Sequence, residues 1–470
     1  MRKSFAAVAV LALIVAGCGG SKSGSASGGA SGATIAPADV LAFVSVNTDE
    51  SSDQWHKADA LLKKFPIRDK LLAQINAGLS SEGVDFNSDV RPLLGPELDL
   101  AVVASNTGSP QLVGMTQPTD KGKFEAAIAK GSNPSVHIEV GDWVVFSDTQ
   151  SALDAFKTEA DKGNLADDSS FKDATSGLPS ETNLTAYVNG PQALGALKLL
   201  KQSAPQLSAL PSGQLQWLSL ALSSQSDAAK LEGAVKTSQS AGQNFKPTLL
   251  SKVPSGALAL ASFNGSAQLT QQLTQNPALA QAAGQLQQLL GVGLSDITNL
   301  IQGEGVLYVA PGIPFPEVTL VLQEAHPETA MATLNKVAAR LAIALHGKLT
   351  AVGAIKKLNL GPVAINYGIS GGTIVISDSS GHIVGPVGTS ITSDPVFSKA
   401  KDAAGLPDQS AGFVYVNIKA AIPLIEGFAQ TGDATIPPDL SQNLAPLESL
   451  LAYATSSGGV AKFTVLLHVR

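Results

Sequence analysis

The stretch PADVLAFVSVN, Pro37–Asn47, returns as PSGALALASFN, Pro254–Asn264, and this recurrence decides how the rest of the chain is read. Self-similarity on this scale marks copies of one structural unit, so it takes precedence over local patterns. The echo continues in order. Leu71-Leu72-Ala73-Gln74 is answered around Leu279-Ala280-Gln281, and a hairpin pattern ending Ser147-Asp148 by one ending Ser377-Asp378. DSSFKDATSGLP from Asp168 matches DPVFSKAKDAAGLP from Asp394, and AYVN closing at Asn189 matches VYVN closing at Asn417. The last strand-like runs, near Lys230 and near Lys462, also correspond. The sequence therefore predicts two tandem pseudo-repeated domains, 36–240 and 252–470.

A shorter repeat lies inside each copy. Pro37 and Asn47, Pro179 and Asn189, Pro254 and Asn264, and Pro407 and Asn417 are each ten positions apart, with an apolar run between and helix-favouring sequence after. Each unit then ends in a hairpin: Leu98–Ser105 with Gln111–Gln117, Leu215–Ser223 with Ala229–Thr237, Gly303–Pro311 with Glu317–Gln323, and Leu450–Thr455 with Val460–Val469. A further helix and hairpin, Asp120–Lys130 and His137–Ser147, is inserted between the units of the first copy. Trp55, Ala58, Leu62 and Phe65 recur at helical spacing, with Ser52 or Asp53 placed to cap the start and Pro66 to mark the end. Phe463, Val465, Leu467 and Val469 alternate with Lys462, Thr464, Leu466 and His468, a strand whose first set reads as facing the core and whose second reads as the mixed face. Strands joined by tight turns, with helices grouped, predict an α+β class in which each domain is an antiparallel sheet covered by helices.

The N-terminus carries a different kind of information. Arg2 and Lys3 precede an apolar run, Phe5–Ala16, followed by Gly17 and Cys18, the order of an export signal. At 1.5 Å per residue the run spans about 18 Å, short of the roughly 30 Å of a hydrocarbon core. Val15-Ala16-Gly17-Cys18 resembles a lipobox, where bacterial lipoproteins are acylated on the cysteine thiol and cut just before it. The resemblance implies a signal peptide over 1–17 and lipidation at Cys18. As the sole cysteine, Cys18 has no partner for an internal disulfide. Two or more acyl chains on it would hold the protein firmly to a membrane. Residues 18–35, rich in Gly, Ser and Ala, are expected to form a flexible tether with about 20 Å of reach. The expected location is the outer face of the cytoplasmic membrane. Of 31 basic residues, Arg2 and Lys3 lie in the leader, so the remainder sets 29 against 38 acidic residues, a formal charge of −9. That balance argues against nucleic-acid binding.

Motifs that carry chemistry are sparse. Gly368-Ile369-Ser370-Gly371-Gly372 fits a nucleophile elbow, but its counterpart Val140-Gly141-Asp142-Trp143 is a hairpin turn and strand follows Ser370, so the hairpin reading is favoured. The histidines, His56, His137, His326, His346, His382 and His468, lack the spacing that sets two ligands on one helical face, and His56 and His137 read as surface residues. Gly291-Val292-Gly293 lacks the third glycine and the preceding strand of a dinucleotide loop. The acidic pairs Asp167 with Asp168 and Glu97 with Asp99 read as solvated surface. No catalytic residue, metal ligand or cofactor is assigned. Asn47, Asn189, Asn264 and Asn417 share one position in the repeat, and a carboxamide there can accept from orphan N–H groups at a helix start, so they read as structural caps, with the lining of a common cleft as the alternative. Lys57, Lys63, Lys64, Arg68 and Lys70 could face a membrane, but Asp53, Asp59 and Asp69 interleave with them and favour a solvated helix face. The Leu- and Gln-rich run Ala267–Leu290 predicts a helix that packs on the sheet, closes over an apolar cavity or grips a partner.

PADVLAFVSVNTD from Pro37, SSDQWHKADALLKKFP from Ser51 and the lipobox together resemble the bacterial family called domain of unknown function 3352, often envelope lipoproteins of actinobacteria and their relatives. The likeness runs through most of the chain and brings no catalytic or binding residues with it. The second copy departs by lacking the helix around Trp55, since 28 positions separate Asn264 from Val292 against 37 between Asn47 and Val84. The expectation is a non-enzymatic, membrane-anchored extracytoplasmic protein that binds an envelope protein or an apolar ligand. The alternatives are an envelope hydrolase with an unrecognised site and a transporter's solute-binding lipoprotein, whose lobes would be parallel α/β.

Overall fold

The computed structural model describes residues 30–81, 85–104, 110–130, 136–200, 215–238, 242–265, 284, 287, 300–312, 315–361, 363–384, 388–431 and 437–470. The leader, with Val15, Ala16, Gly17 and Cys18, lies outside the described residues, as do Gly291-Val292-Gly293 and nearly all of Ala267–Leu290.

The first half supplies strands β1 (Ala42–Asn47), β2 (Glu97–Ala104), β3 (Pro110–Thr116), β4 (Val136–Val140), β5 (Trp143–Ser147), β6 (Leu184–Asn189), β7 (Leu215–Ser224) and β8 (Ala228–Thr237). Its helices are α1 (Asp53–Leu62), α2 (Ile67–Ser81), α3 (Lys121–Lys130), α4 (Gln150–Ala160), α5 (Ser169–Thr175) and α6 (Gly190–Leu200). The second half supplies β9 (Ala259–Gly265), β10 (Gly303–Ala310), β11 (Glu317–Gln323), β12 (Lys348–Val352), β13 (Ile355–Leu360), β14 (Val363–Ser370), β15 (Thr373–Ser377), β16 (Gly412–Val416), β17 (Leu447–Ser457) and β18 (Val460–Val469). Its helices are α7 (Pro327–Ala344), α8 (Gly381–Val384), α9 (Pro395–Ala404), α10 (Ile418–Thr431) and α11 (Pro438–Leu444).

These strands form one 18-stranded sheet in which every pairing is antiparallel. Across it the order is β4-β5-β3-β2-β1-β6-β7-β8, then β18-β17-β16-β9-β10-β11-β15-β14-β13-β12. The four hairpins expected from sequence each pair as hairpins. One sheet per copy was expected; instead the β8–β18 ladder, from Lys236 opposite Val460 to Ala228 opposite His468, joins them. Each of these long strands would otherwise leave a row of backbone groups unpaired at an edge, and pairing them removes both edges at once. The β12–β13 hairpin extends the second half beyond the expected pattern.

One face of the sheet is covered along its length. Phe156 of α4 and Phe171 of α5 share a buried cluster with Phe43, Val145 and Tyr187 of the sheet, and Phe397 of α9 shares one with Leu260, Phe413, Tyr415 and Leu466. Corresponding rings meet edge to face in the two clusters, Phe171 on Tyr187 at 5.2 Å and Phe397 on Tyr415 at 5.1 Å. On the opposite face, the buried clusters of the described residues lie toward the two ends of the sheet. Phe124 of α3 packs on Leu98, Val144 and Phe146, and α7 packs on Leu322, Leu358, Tyr367 and Ile374.

The end of the expected tether is part of this core. Ser31–Thr34 forms a 3₁₀ turn with Gly32 and Ala33 buried, and Ala33, Ala36 and Val40 pack into the first cluster. Free tether through residue 35 is thus corrected. The apolar residues after Gly32 have surface to bury, and Glu97 holds the turn, as its Oε2 accepts from Ser31 Oγ at 2.8 Å and its Oε1 from the Gly32 N–H at 3.3 Å.

Candidate functional site

Among the described residues, the middle of the second face is apolar and mostly half-buried, and is termed the open face. On β7, Leu218, Leu220 and Leu222 stand opposite Val235, Gly233 and Leu231 of β8. Those stand opposite Ala461, Phe463 and Val465 of β18, which lead on to Ala454 and Ala452 of β17. The same side continues outward through Ala186, Val44 and Leu100 to Leu112 of β3, and through Val414, Ala261 and Leu307 to Val318 of β11. From β3 to β11 no Asp, Glu, Lys or Arg occupies this side of any strand.

Exposure separates this side from its reverse. Leu112, Leu307, Val318 and Val414 are 41%, 40%, 44% and 44% exposed, and most of the positions between them are half-buried. On the covered side of the same strands, Tyr187, Ser219, Leu451 and Leu466 are 0 to 1% exposed. The alternation in β18 is therefore inverted relative to its sequence reading. Phe463, Val465 and Leu467 face the open side, whereas Thr464, Leu466 and His468 are buried. In β18 the mixed set tolerates this side because His468 meets Asp227 and Glu448 while Lys462 stays exposed, and on the neighbouring β8 Lys230 meets Glu232 at 3.0 Å and Lys236 meets Asp173 at 2.8 Å.

Glycines keep the open face smooth. A Cβ on Gly233 would lie 2.4 Å from Phe463 Cζ, and one on Gly305 would lie 2.3 Å from Phe263 Cζ, so each ring lies across a neighbouring backbone that only glycine allows. At about 4.8 Å per strand, the uncharged face is on the order of 50 Å across. Contiguous exposed apolar surface of this kind marks ligand or interaction sites, and it offers dispersion and dehydration to an apolar chain without side-chain charges.

Three polar clusters of the described residues hold buried titratable groups. Glu97 and Asp99 on β2 are buried, 8% and 0% exposed, which corrects their reading as solvated surface. Glu97 is held by the Ser31–Thr34 turn, which acts as a strap, while neither Asp99 oxygen has a hydrogen-bond partner, and Asp99 Oδ2 fills the space where a Gly32 Cβ would sit. Burial first, and the Glu97 charge second, push the Asp99 carboxyl well above the usual carboxylate range. A raised folded pKa means that stability from this group is full below about pH 4 and is lost as pH rises. Asp99→Asn is accordingly expected to raise the unfolding free energy at pH 7 by about 1–3 kcal/mol and to flatten the stability profile above pH 4. A denaturation series over pH reads both effects, and a destabilised variant at pH 7 would refute this.

The other two clusters contain histidines with both ring nitrogens engaged. His382 of α8 contacts Glu317 at 2.6 Å through Nε2 and the buried Tyr308 hydroxyl at 3.2 Å through Nδ1. Burial, and secondarily the Glu317 charge, outweigh a hydrogen bond from Thr319 and raise the Tyr308 hydroxyl above its ordinary range, away from nucleophilic use. His468 contacts Asp227 at 2.9 Å and Glu448 at 2.6 Å, with Lys399 within 3.5 Å of both carboxylates. Burial acts to raise the Asp227 carboxyl, but His468 and Lys399 together hold it below the usual range. Neither imidazole has a free nitrogen to serve a substrate. Among the described residues no group of three or more His, Cys, Asp or Glu side chains is arranged to hold a metal ion.

The repeated asparagines fall into place locally and do not converge on one site. Asn189 Oδ1 accepts from the Gln192 N–H at 3.3 Å, and Asn417 Oδ1 from the Ala420 N–H at 3.1 Å, at the starts of α6 and α10. Asn47 acts one step earlier, accepting from the Asp49 N–H at 2.9 Å and donating to Ser52 Oγ at 3.2 Å, and Ser52 in turn caps α1 through the Trp55 N–H. Asn264 lies in β9 opposite Glu304, and the segment after Gly265 lies outside the described residues. Ser370 ends β14, and the Gly371–Gly372 turn, with φ of 57° and 80°, leads into β15 as a hairpin.

Sequence reading missed the open face. Its signal was present: every Lys and Glu within β8 and β18 falls on one alternate set, leaving the other free of charge.

A family model described as "Protein of unknown function (DUF3352)" matches residues 5–136 and 123–469. No curated protein matches the chain. Among solved structures, crystal forms IV, III and I of TP0453 align at TM-scores of 0.25, 0.26 and 0.26 with 14%, 16% and 17% identity. They cover 44%, 46% and 47% of this chain and 75%, 78% and 79% of theirs, a likeness too slight to support any inference.

Proposed function

We propose a lipid-binding role for this chain, which belongs to the family described as protein of unknown function DUF3352. In this reading it is a non-enzymatic extracytoplasmic lipoprotein, anchored through Cys18 to the outer face of the cytoplasmic membrane, whose apolar ligand is an acyl chain laid along the open face. The observation that carries it is the charge-free, half-exposed side running from β3 to β11. Antiparallel alternation ordinarily puts polar residues on a side that stays partly exposed, and a stretch that keeps apolar residues there does so at a cost in solubility that a ligand would explain.

Duplication is part of the same proposal, with domains 36–240 and 252–470. Supporting it, β5-β3-β2-β1-β6-β7-β8 is answered in order by β15-β11-β10-β9-β16-β17-β18. Glu97 holding Ser31 and Gly32 is matched by Glu304, which accepts from the Thr248 and Leu249 N–H groups at 2.6 Å. Asp168 and Asp394 each cap the helix that follows them. Antiparallel pairing throughout weighs against the parallel lobes expected of a solute-binding lipoprotein.

Organic extraction of the protein purified from membranes, followed by mass spectrometry, tests the ligand. A retained acyl lipid near one-to-one is expected, whereas a stoichiometric protein partner with no lipid would overturn the reading. The anchor is tested separately, by intact-mass measurement of the mature chain. Acylated Cys18 at the N-terminus is the expected result, with Cys18→Ser left uncleaved or released, and a mature N-terminus elsewhere would contradict it.

A further inference from the structure

The strand ends at Asn47, Glu97, Leu184, Ser224, Ala228, Val469, Leu447 and Val416 lie side by side along one edge of the sheet. Helical hairpins from both halves leave the sheet here, α1–α2 after β1 and α10–α11 between β16 and β17. They touch: the Ile67 N–H donates to Asn443 Oδ1 at 2.8 Å, and Lys64 Nζ donates to the Val469 carbonyl at 3.3 Å. Contact leaves their apolar side chains exposed. Leu62 is 42%, Ile67 44%, Leu71 37%, Ile425 55% and Leu440 49% exposed, and α2 has no buried residue. The described chain also begins at this edge, where Glu97 holds Ser31 and Gly32. Residues 1–29, with the apolar run and Cys18, therefore join the fold here.

We infer that this edge is a membrane-contact surface, on which Leu62, Ile67, Leu71, Ile425 and Leu440 enter the interfacial layer of a lipid bilayer and bring the open face next to its acyl chains. The occupant is a bilayer because the leader's attachment point and the exposed apolar residues of both hairpins share one edge. The driving force is apolar. Lys57 pairs with Asp53 at 2.5 Å, Lys63 with Asp59 at 2.5 Å, and Arg68 with Asp59 at 2.7 Å and Asp69 at 3.1 Å, so much of the basic cluster is compensated within the hairpin. Insertion should thus need no anionic lipid and should change little with salt. The inference deepens the lipid-binding reading and rests on it for what enters the open face and, through the Cys18 anchor, for why a bilayer lies at this edge.

The test uses the full chain reconstituted in phosphatidylcholine vesicles, carrying an environment-sensitive fluorophore on Leu62→Cys, Ile67→Cys or Ile425→Cys. The control label is on Val352→Cys, 72% exposed at the opposite end of the strands, with the parent chain treated in parallel as the background. Brominated lipid is expected to quench the three edge labels several-fold more than the label at 352, at low and high salt alike. Equal quenching at edge and control, quenching that disappears in high salt, or a chain that does not associate with the vesicles would each overturn the inference. Lipid extraction separates the two claims: edge labels in lipid without retained ligand would fault the binding reading alone, and retained ligand with unquenched edge labels would fault the contact surface alone.

Discussion

Leu220→Asp, or Val465→Asp, is expected to weaken binding of a fluorescent fatty acid at least a hundredfold while leaving the folded structure in place. Leu220 lies between Ala186 and Gly233 in the middle of the open face, and Val465 lies across the β8–β18 join from Leu231. In the free protein a carboxylate at either position keeps water, because both sites are half-buried and not sealed. With an acyl chain laid over it, the same carboxylate loses its hydration without gaining a partner, and such desolvation costs several kcal/mol. Leu220→Met conserves volume and hydrophobicity and should bind within a few-fold of the parent. Titration of the probe, with circular dichroism to confirm the fold, reads the effect. Aspartate variants that bind as the parent does would mean that the probe sits elsewhere.

His468→Ala should cost about 1–3 kcal/mol of stability, the range for leaving buried hydrogen-bonding groups without a partner. The imidazole, 1% exposed, separates Asp227, in the turn before β8, from Glu448 in β17, so its loss leaves two carboxylates facing each other across the join between the halves. His468→Gln, which restores one donor, should recover part of the loss. In a double-mutant cycle with Asp227→Asn, a coupling above about 1 kcal/mol is expected for residues in direct contact. Denaturant midpoints measured on all four proteins decide it, and a His468→Ala variant within 0.5 kcal/mol of the parent would show that the cluster does not secure the join.

The mixed helix and antiparallel-strand class was legible because hairpins and helix starts are local signals. PADVLAFVSVN and PSGALALASFN both form the strand that lies between the two inner neighbours of its half, β1 between β2 and β6, and β9 between β10 and β16. Non-local features were hidden. Which alternate set of β18 faces the helices depends on where α9 packs, so Lys462, Thr464, Leu466 and His468 resembled a solvent side until the partners of their neighbours on β8 were known. Glu97 and Asp99 looked solvated because the strap that buries them arrives from Ser31 and Gly32, more than sixty residues away. Pairing of β8 with β18 could not be read at all, since either strand alone would serve as an ordinary edge. The open face was missed for a related reason: an apolar alternate set looks like core until the exposure of its side chains is known.

A photoactivatable fatty acid, cross-linked to the full chain and mapped by peptide mass spectrometry, addresses the lipid-binding face most directly. Adducts are expected on open-side residues of the central strands, such as Leu100, Ala186, Leu220, Val465, Ala452 and Leu307, drawn from both halves. Adducts confined to the helices of the covered side, or a saturable signal that leaves those strands unmodified, would contradict it.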